Sequence, residues 1–356
     1  MPQEFTTLAS LLDHGYDTVI DVRSPAEFAE DHIPGAINLP SLSNEERVEV
    51  GTIYKQVSPF KARKLGAGMV IRNIAHHIDG PLADKDGSWQ PLVYCWRGGQ
   101  RSGVFRTLLS EIGWRAESIK GGYKSYQRQV SEMLYFSPLP HRFVLLDGYT
   151  GTAKTELLGM LAARGVQTVD LEKLANHRGS LLGGQFEAQP SQKAFDSAIA
   201  HALCECDPTR PVVLEAESSK IGRINLPKSL WQAMTEAPRI IVSAPPAARA
   251  VFLASRYEDV INDPARLAAR LAPLRAVRGN DIIDQWVSLS RQREYVALSR
   301  SLIETHYDPA YAKSQGRHAF HKIAEILIET LDAAGLERAA TEIATAINRC
   351  EILGQR

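Results

Sequence analysis

The run Leu92-Val93-Tyr94-Cys95-Trp96-Arg97-Gly98-Gly99-Gln100-Arg101-Ser102 constrains this chain more than any other. An apolar strand ends at a cysteine. A loop with two glycines and two arginines follows, and an apolar helix runs from Val104 to Ile112. Such a strand–loop–helix turn aims successive backbone N–H groups and a helix N-terminus at one point, which makes an anion cradle. The same field favours the thiolate of Cys95, its reactive form. Cys95 therefore reads as a nucleophile for an anionic sulfur, selenium or phosphorus group. Arg97 and Arg101 can pair with the oxygens of that group. Trp96, Gly98, Gly99 and Gln100 form the rest of the anion loop. A structural strand-end cysteine would need neither the Gly-Gly pair nor the flanking arginines.

The turn belongs to a longer alternation of strands and helices. Thr18-Val19-Ile20-Asp21-Val22 reads as a buried strand, with a helix starting at Pro25 after Ser24. Ala36–Leu39, Leu92–Tyr94 and Ala116–Ile119 are further strands, the last ending at Gly121-Gly122. This pattern predicts a parallel sheet covered on both faces. The run Phe136-Ser137-Pro138-Leu139-Pro140-His141 reads as a linker. It divides the 356 residues into 1–136 and 137–356, each long enough for its own core.

After the linker the alternation restarts. Phe143–Leu146 is a strand, followed by Asp147-Gly148-Tyr149-Thr150-Gly151-Thr152-Ala153-Lys154-Thr155 and a helix. That is the setting of a P-loop: amides wrap a phosphate, Lys154 meets its charge and Thr155 can take a magnesium ion. Gly148, Gly151, Thr152, Lys154 and Thr155 are the expected phosphate-binding residues. Ala153 stands where the usual motif has glycine. Val212–Leu214 and Ile240–Val242 are further strands, and from Ala247 onward the pattern turns helical. Asp170, Glu172, His177, Arg178 and Ser180 form one polar run of this domain, and Glu215, Glu217 and Ser218 another, just after a strand. The whole is an α/β chain with a helical C-terminal segment.

Bulk properties exclude several classes. Lys plus Arg and Asp plus Glu each number 41, so indiscriminate nucleic-acid binding is not expected. No stretch approaches a membrane span, and no basic-plus-apolar leader opens the chain. Four cysteines form no disulfide framework, and the Cys204-x-Cys206 spacing suits neither a zinc pair nor a redox pair. A reducing cytoplasm is the expected location, and no residues are assigned to a resident metal.

Four motifs occur in the order seen in rhodanese domains, and residues 1 to 136 resemble that family over most of their length. They are Asp21-Val22-Arg23, His32-Ile33-Pro34-Gly35-Ala36-Ile37-Asn38-Leu39-Pro40, the Cys95 loop and Gly121-Gly122-Tyr123. By that resemblance Cys95 is the catalytic residue. Cys95-x5-Arg101 is one residue longer than the usual rhodanese loop and is similar to rhodanese-fold phosphatases. This favours a tetrahedral ligand such as selenophosphate, phosphate or thiosulfate.

The whole chain resembles the tRNA 2-selenouridine synthase family. The resemblance rests on the Cys-Trp-Arg-Gly-Gly-x-Arg-Ser loop, the P-loop, and the Asp170-Leu171-Glu172…His177-Arg178-Gly179-Ser180 run. Glu215-x-Glu217-Ser218…Ile221-Gly222 and His306-Tyr307-Asp308-Pro309-x-Tyr311 complete it. It implies an enzyme that geranylates the sulfur of wobble 2-thiouridine and then replaces it with selenium. Geranyl diphosphate and selenophosphate would be co-substrates, with no tightly bound cofactor. It also implies tRNA as partner and a selenophosphate-producing enzyme as an upstream one. Arg249, Arg256, Arg266, Arg270, Arg275 and Arg278 are one expected tRNA face; Lys55, Lys61, Arg63 and Lys64, in a loop-like insertion, are another. Trp96, Trp114 or Tyr123 would be candidates to stack on an extruded base, with core packing the expected role for Trp114. Two rival readings survive the sequence: a sulfurtransferase or C-x5-R phosphatase fused to a P-loop domain, and a non-catalytic phosphate-sensing or tRNA-binding module.

Overall fold

The computed structural model describes residues 2–180, 183, 187–257, 262–315 and 320–354. Two compact units emerge, one of residues 1–137 with 190–204, the other of 138–189 with 205–356.

The first unit is built on a parallel sheet. Its strands are β1 (Thr18–Asp21), β2 (Ile37–Asn38), β3 (Pro91–Tyr94) and β4 (Glu117–Ser118), in the order β2-β1-β3-β4. The Ile20, Val22, Val93 and Cys95 side chains join Phe105, Leu109, Met69 and Ile74 in one core. α5 (Gln100–Ile112) follows the Cys95 loop, and α6 (Gly122–Ser131) follows β4. Asp21 pairs in register with Tyr94, so β1 and β3 end together beside Cys95.

The stretch holding Lys55, Lys61, Arg63 and Lys64, expected as a loop, is two helices. They are α3 (Asn44–Gln56) and α4 (Pro59–Asp79), numbered after α1 (Leu8–Leu12) and α2 (Pro25–Glu30). The local chemistry explains it. Ser43 and Glu46 form a reciprocal N-terminal cap on α3, Ser58 caps α4, and Pro59 occupies the first turn.

The second unit carries the strands β5 (Phe143–Asp147), β6 (Gln167–Val169), β7 (Val212–Glu215), β10 (Arg239–Ser243) and β11 (Lys322–Leu327). A short hairpin, β8 (Lys220–Ile221) with β9 (Ile224–Asn225), lies outside this sheet. The main sheet is parallel in the order β11-β10-β5-β7-β6. α7 (Lys154–Ala163) and the helix Ala333–Gly354 pack on it through Leu157, Leu161, Ala340 and Ile343. A second core forms among the C-terminal helices around Trp286, Leu267 and Ile303. The helical reading beyond Ala247 missed β11. That strand's burial is mixed and Leu327 is exposed, so it lacks the apolar run that marks an inner strand.

One element departs from a division at 136/137. α9 (Gln192–Cys204), after α8 (Leu171–Leu174), belongs to the first unit. Its Ser197 Oγ donates to Asp31 Oδ2 at 2.9 Å, and Tyr123 Oη donates to the same oxygen at 2.7 Å. Tyr135 Oη donates to Asp196 Oδ2 at 2.8 Å. A carboxylate buried as deeply as Asp31 is tolerated only with such partners, so the network fixes where α9 sits.

The Cys95 loop lies directly on the turn before α6. Tyr123 N donates to Cys95 O at 2.9 Å, and Lys124 N donates to Trp96 O at 3.0 Å. Gly98 and Gly122 have φ of +65° and +58°. A Cβ at Gly122 would stand 2.2 Å from Cys95 O, and one at Gly98 would stand 2.6 Å from Ile119 O. Glycine is required at both positions by conformation and by space. Gly122→Ala should therefore lower stability by about 2 kcal/mol or more, measured by urea unfolding. A variant as stable as the parent would show that these segments do not meet this closely.

Candidate active site

The first unit presents a thiol at the end of β3. Cys95 is buried, with Sγ 3.2 Å from Ser102 Oγ, and Gly99 N donates to Sγ at 3.3 Å. Burial alone would push this thiol up. The Ser102 hydroxyl and backbone N–H, the Arg101 charge and the Gly99 N–H outweigh it and hold the thiol below its ordinary value. The start of α5 adds its unpaired N–H groups to the same place.

Arg101 is held, not free. Its Nη1 lies 3.2 Å from Glu27 Oε2. That oxygen also accepts from Ser24 N at 3.1 Å and from Arg47 Nε at 3.3 Å. Burial opposes ionisation of Glu27, but Arg101, the Ser24 N–H and Arg47 hold it at about 2. Glu27 was not singled out in the sequence because its only local signal is a helix-capping role. Ser102 was read only as part of the loop, yet its hydroxyl hydrogen-bonds Sγ. Arg97 is exposed and makes no hydrogen bond or ion pair among the described residues.

Arg23 is structural. Its Nη2 lies 2.6 Å from Asp21 Oδ2, both groups are buried, and its guanidinium stacks 3.9 Å from the Tyr123 ring centroid. Tyr123 is thereby enclosed and cannot stack on a base. Trp114 is also buried, donating to Asp86 O at 2.7 Å. Trp96 stays half-exposed beside the loop.

The second unit holds the loop 148–153, expected from the sequence to cradle an anion, between β5 and α7. Lys154 Nζ donates to Gly148 O at 2.8 Å and lies 3.4 Å from Tyr149 O. Ala153 has φ +59° and ψ +33°, the left-handed conformation that glycine adopts at no cost. Its methyl group is buried in the unit's core. The loop is braced from behind. Asp147 pairs with Arg239 at 2.8 Å and accepts from Tyr311 Oη at 2.7 Å. Arg249 donates to Thr150 O at 2.8 Å and pairs with Asp308 at 2.6 Å. The run His306–Tyr311 thus supports the anion loop through Asp308 and Tyr311. Arg249 is buried by this pairing and is not part of any RNA-facing surface. Arg275 is half-exposed and paired with Asp284.

A cavity of about 570 Å³ opens over this loop. It is lined by Gly148, Gly151, Thr152, Lys154, Thr155, Asp170, Glu172, His177, Arg178, Ser180 and Glu217. These expected residues are brought together. Ser218 is not: it is exposed and closes its own turn on Lys220 O. Asp170 also caps α8 by accepting from Lys173 N at 2.7 Å. Arg178 lies 5.2 Å from the centroid of Tyr257, whose hydroxyl is 2.7 Å from Ser180 Oγ.

Three carboxylates crowd the floor. Thr155 Oγ1 donates to Glu215 Oε1 at 2.8 Å and lies 3.1 Å from Glu172 Oε2. Glu215 Oε2 is buried with no hydrogen-bond partner among the described residues. A Cβ on Gly179 would stand 2.3 Å from Glu172 Oε1 and 2.7 Å from Glu217 Oε1. Burial, then repulsion from neighbouring carboxylates, pushes Glu172 and Glu215 above the ordinary glutamate value; burial pushes Glu217 the same way. Among the described residues no cluster of three or more His, Cys, Asp or Glu groups is arranged to hold a metal unaided. The orphaned Glu215 oxygen and the Thr155 hydroxyl are the kind of oxygen donors a magnesium ion takes.

Residues 4–129 match the Rhodanese-like domain family, and residues 141–271 match the tRNA 2-selenouridine synthase AAA domain. The chain is similar to a protein of Hahella chejuensis named tRNA 2-selenouridine synthase, with 32% identity over 350 residues, 89% of each chain. A protein of the same name from Cupriavidus pinatubonensis is 31% identical over 338 residues, covering 85% of this chain and 89% of its own. Among solved structures, the yeast protein tyrosine phosphatase Ygr203w of the Rhodanese family matches 36% of this chain and 83% of its own, with 16% identity and a TM-score of 0.22. Among the described residues no helix is long and apolar enough to cross a membrane.

The carboxylate cluster sets a pH dependence. Its folded-state values lie above the unfolded value of 4.5, so the folded form binds extra protons. That contribution to stability is complete below the unfolded value and is lost as pH rises through the folded ones. Without ligand, raising pH from about 5 to about 8 should lower the melting temperature, and Glu215→Gln should flatten this slope. Identical slopes for parent and variant in a calorimetric pH series would contradict the assignment.

Proposed function

The chain belongs to the tRNA 2-selenouridine synthase family and forms selenouridine in tRNA, and from that premise we propose a two-site sequence of alkylation and selenium substitution at wobble 2-thiouridine. The P-loop unit takes geranyl diphosphate. The thiocarbonyl sulfur attacks C1 of the geranyl group, the C–S bond forms, the C–O bond breaks, diphosphate leaves with the electron pair, and the base gives up its N3 proton to solvent. Lys154 and the loop amides meet the charge that grows on diphosphate. Magnesium held by Thr155 and Glu215 would neutralise the same charge.

The first unit takes selenophosphate. The Cys95 thiolate attacks phosphorus, the S–P bond forms, the P–Se bond breaks, and hydroselenide leaves. Selenophosphate enters as its monoprotonated form and that proton leaves with selenium, so the leaving group is hydroselenide, a weak base that needs no further proton donor. It attacks C2 of the S-geranyl uridine, and geranylthiolate leaves and takes a proton. Water then hydrolyses the S–P bond, which releases phosphate and restores Cys95. The observation that carries this reading is the buried Cys95 thiol, acidified by Ser102, Arg101 and Gly99 at a helix N-terminus.

Arg266, Arg270 and Arg278 remain proposed phosphate contacts for tRNA, and a cytoplasmic location fits that substrate. The acidified thiol with Arg101 also suits a thiolate phosphatase; turnover of an aryl phosphate faster than selenouridine formation would favour that reading.

Two variants separate the sites. Cys95→Ser keeps the shape, loses the thiolate and should abolish conversion of S-geranyl uridine to selenouridine; Cys204→Ser and Cys206→Ser should retain it. Lys154→Ala should cut geranylation about 10- to 150-fold, the loss of a charge-assisted contact of about 1.5–3 kcal/mol. It should spare selenium substitution on RNA that already carries S-geranyl uridine. Nucleoside mass analysis reads both steps, and equal loss of both in Lys154→Ala would argue against separate sites.

A further inference from the structure

A second cavity, of about 800 Å³, lies in the first unit between α3, α4 and the start of α5. Its walls are mostly apolar and include Val50, Tyr54, Val70, Ile71 and Val104. Ile71 is 53% exposed and Val104 39%, so the site leaves apolar surface to water unless something covers it. Small residues make the room. Gly51, Ala62, Gly66 and Ala67 line the facing turns of α3 and α4, and a Cβ at Gly66 would already stand 3.3 Å from Val50 Cγ1.

Two features say what kind of group fits. The cavity reaches the Cys95 loop directly, because Gln100 and Arg101 line it. Its rim is cationic, with Arg47, Lys55 and Arg63 joining Arg101. Glu27 pairs with Arg47 and Arg101, while Lys55 and Arg63 enter no ion pair among the described residues. An apolar hollow with a cationic rim complements a hydrocarbon chain attached to a polyanion. A free phosphate has no use for the apolar walls, and an unmodified nucleobase would be met by polar groups rather than aliphatic ones.

We propose that this cavity receives the geranyl chain of the S-geranyl nucleotide, with the RNA phosphates against the rim and C2 of the base at the Cys95 loop. The proposal rests on the geranylation reading above and assigns it a second hydrocarbon-recognising site, distinct from the diphosphate site of the P-loop unit. The chain seats the nucleotide for selenium substitution, and geranylthiol then leaves from the cavity.

The test uses the full chain, selenophosphate and anticodon-loop RNA carrying either S-geranyl or S-methyl 2-thiouridine. Ala67→Phe fills the cavity from an exposed helix position, and Val104→Asp makes its wall polar; circular dichroism melting checks that each folds. The parent should convert S-geranyl RNA with a higher kcat/KM than S-methyl RNA. Each variant should lower that preference about tenfold or more, because the discriminating contact is apolar burial. A parent active on S-geranyl RNA, with variants that keep the same preference, would overturn the cavity assignment alone. A parent inactive on S-geranyl RNA would overturn the geranylation reading and the cavity with it.

Discussion

The first unit depends on one close approach of backbone to backbone, where the Cys95 loop meets the turn before α6. Gly98 and Gly122 remove the side chains that would keep these segments apart. The N–H groups of Tyr123 and Lys124 then bind the carbonyls of Cys95 and Trp96. With its carbonyls turned toward α6, the loop directs N–H groups toward the thiol. The acidity of Cys95 is thus a consequence of packing. Its helix N-terminus, Ser102 hydroxyl and Gly99 N–H are preorganised donors that need no rearrangement when charge develops on sulfur.

The second unit meets the same need by different means. Its loop is braced by ion pairs from behind, Asp147 with Arg239 and Arg249 with Asp308. In front, buried carboxylates surround Thr155 and Lys154. Carboxylates this close repel and take up protons, so a bound cation relieves the site directly. The proposed diphosphate with its magnesium ion would meet both needs, the loop amides taking the anion and the carboxylate floor the cation. On the proposed two-site reading, the two units divide the chemistry by charge.

Much of this was legible in the sequence because it is local. The Cys95 loop and the P-loop, each with the strand before it, lie within 13 consecutive residues, and both parallel sheets follow from the alternation around them. What escaped is what distance in the chain conceals. Glu27 reaches Arg101 across 74 positions, and Tyr311 reaches Asp147 across 164. Arg249 looked like a surface cation because nothing near it in sequence reveals Asp308. α9 carries an ordinary amphipathic pattern, and only Asp31, 166 positions before Ser197, shows which unit it joins. α3 and α4 were hidden by their charged residues, although Ser43, Ser58 and Pro59 mark their starts.

The ionisation of Cys95 in the folded protein tests the central claim most directly. Thiolate ultraviolet absorbance, followed against pH as the difference between the parent and Cys95→Ser, isolates this one group. The loop geometry predicts a midpoint below the ordinary cysteine value of 9.0. Charge neutralisation in Arg101→Gln should move it upward. A midpoint at or above 9.0, unmoved by that change, would mean that burial governs the thiol and that the loop does not prepare a nucleophile.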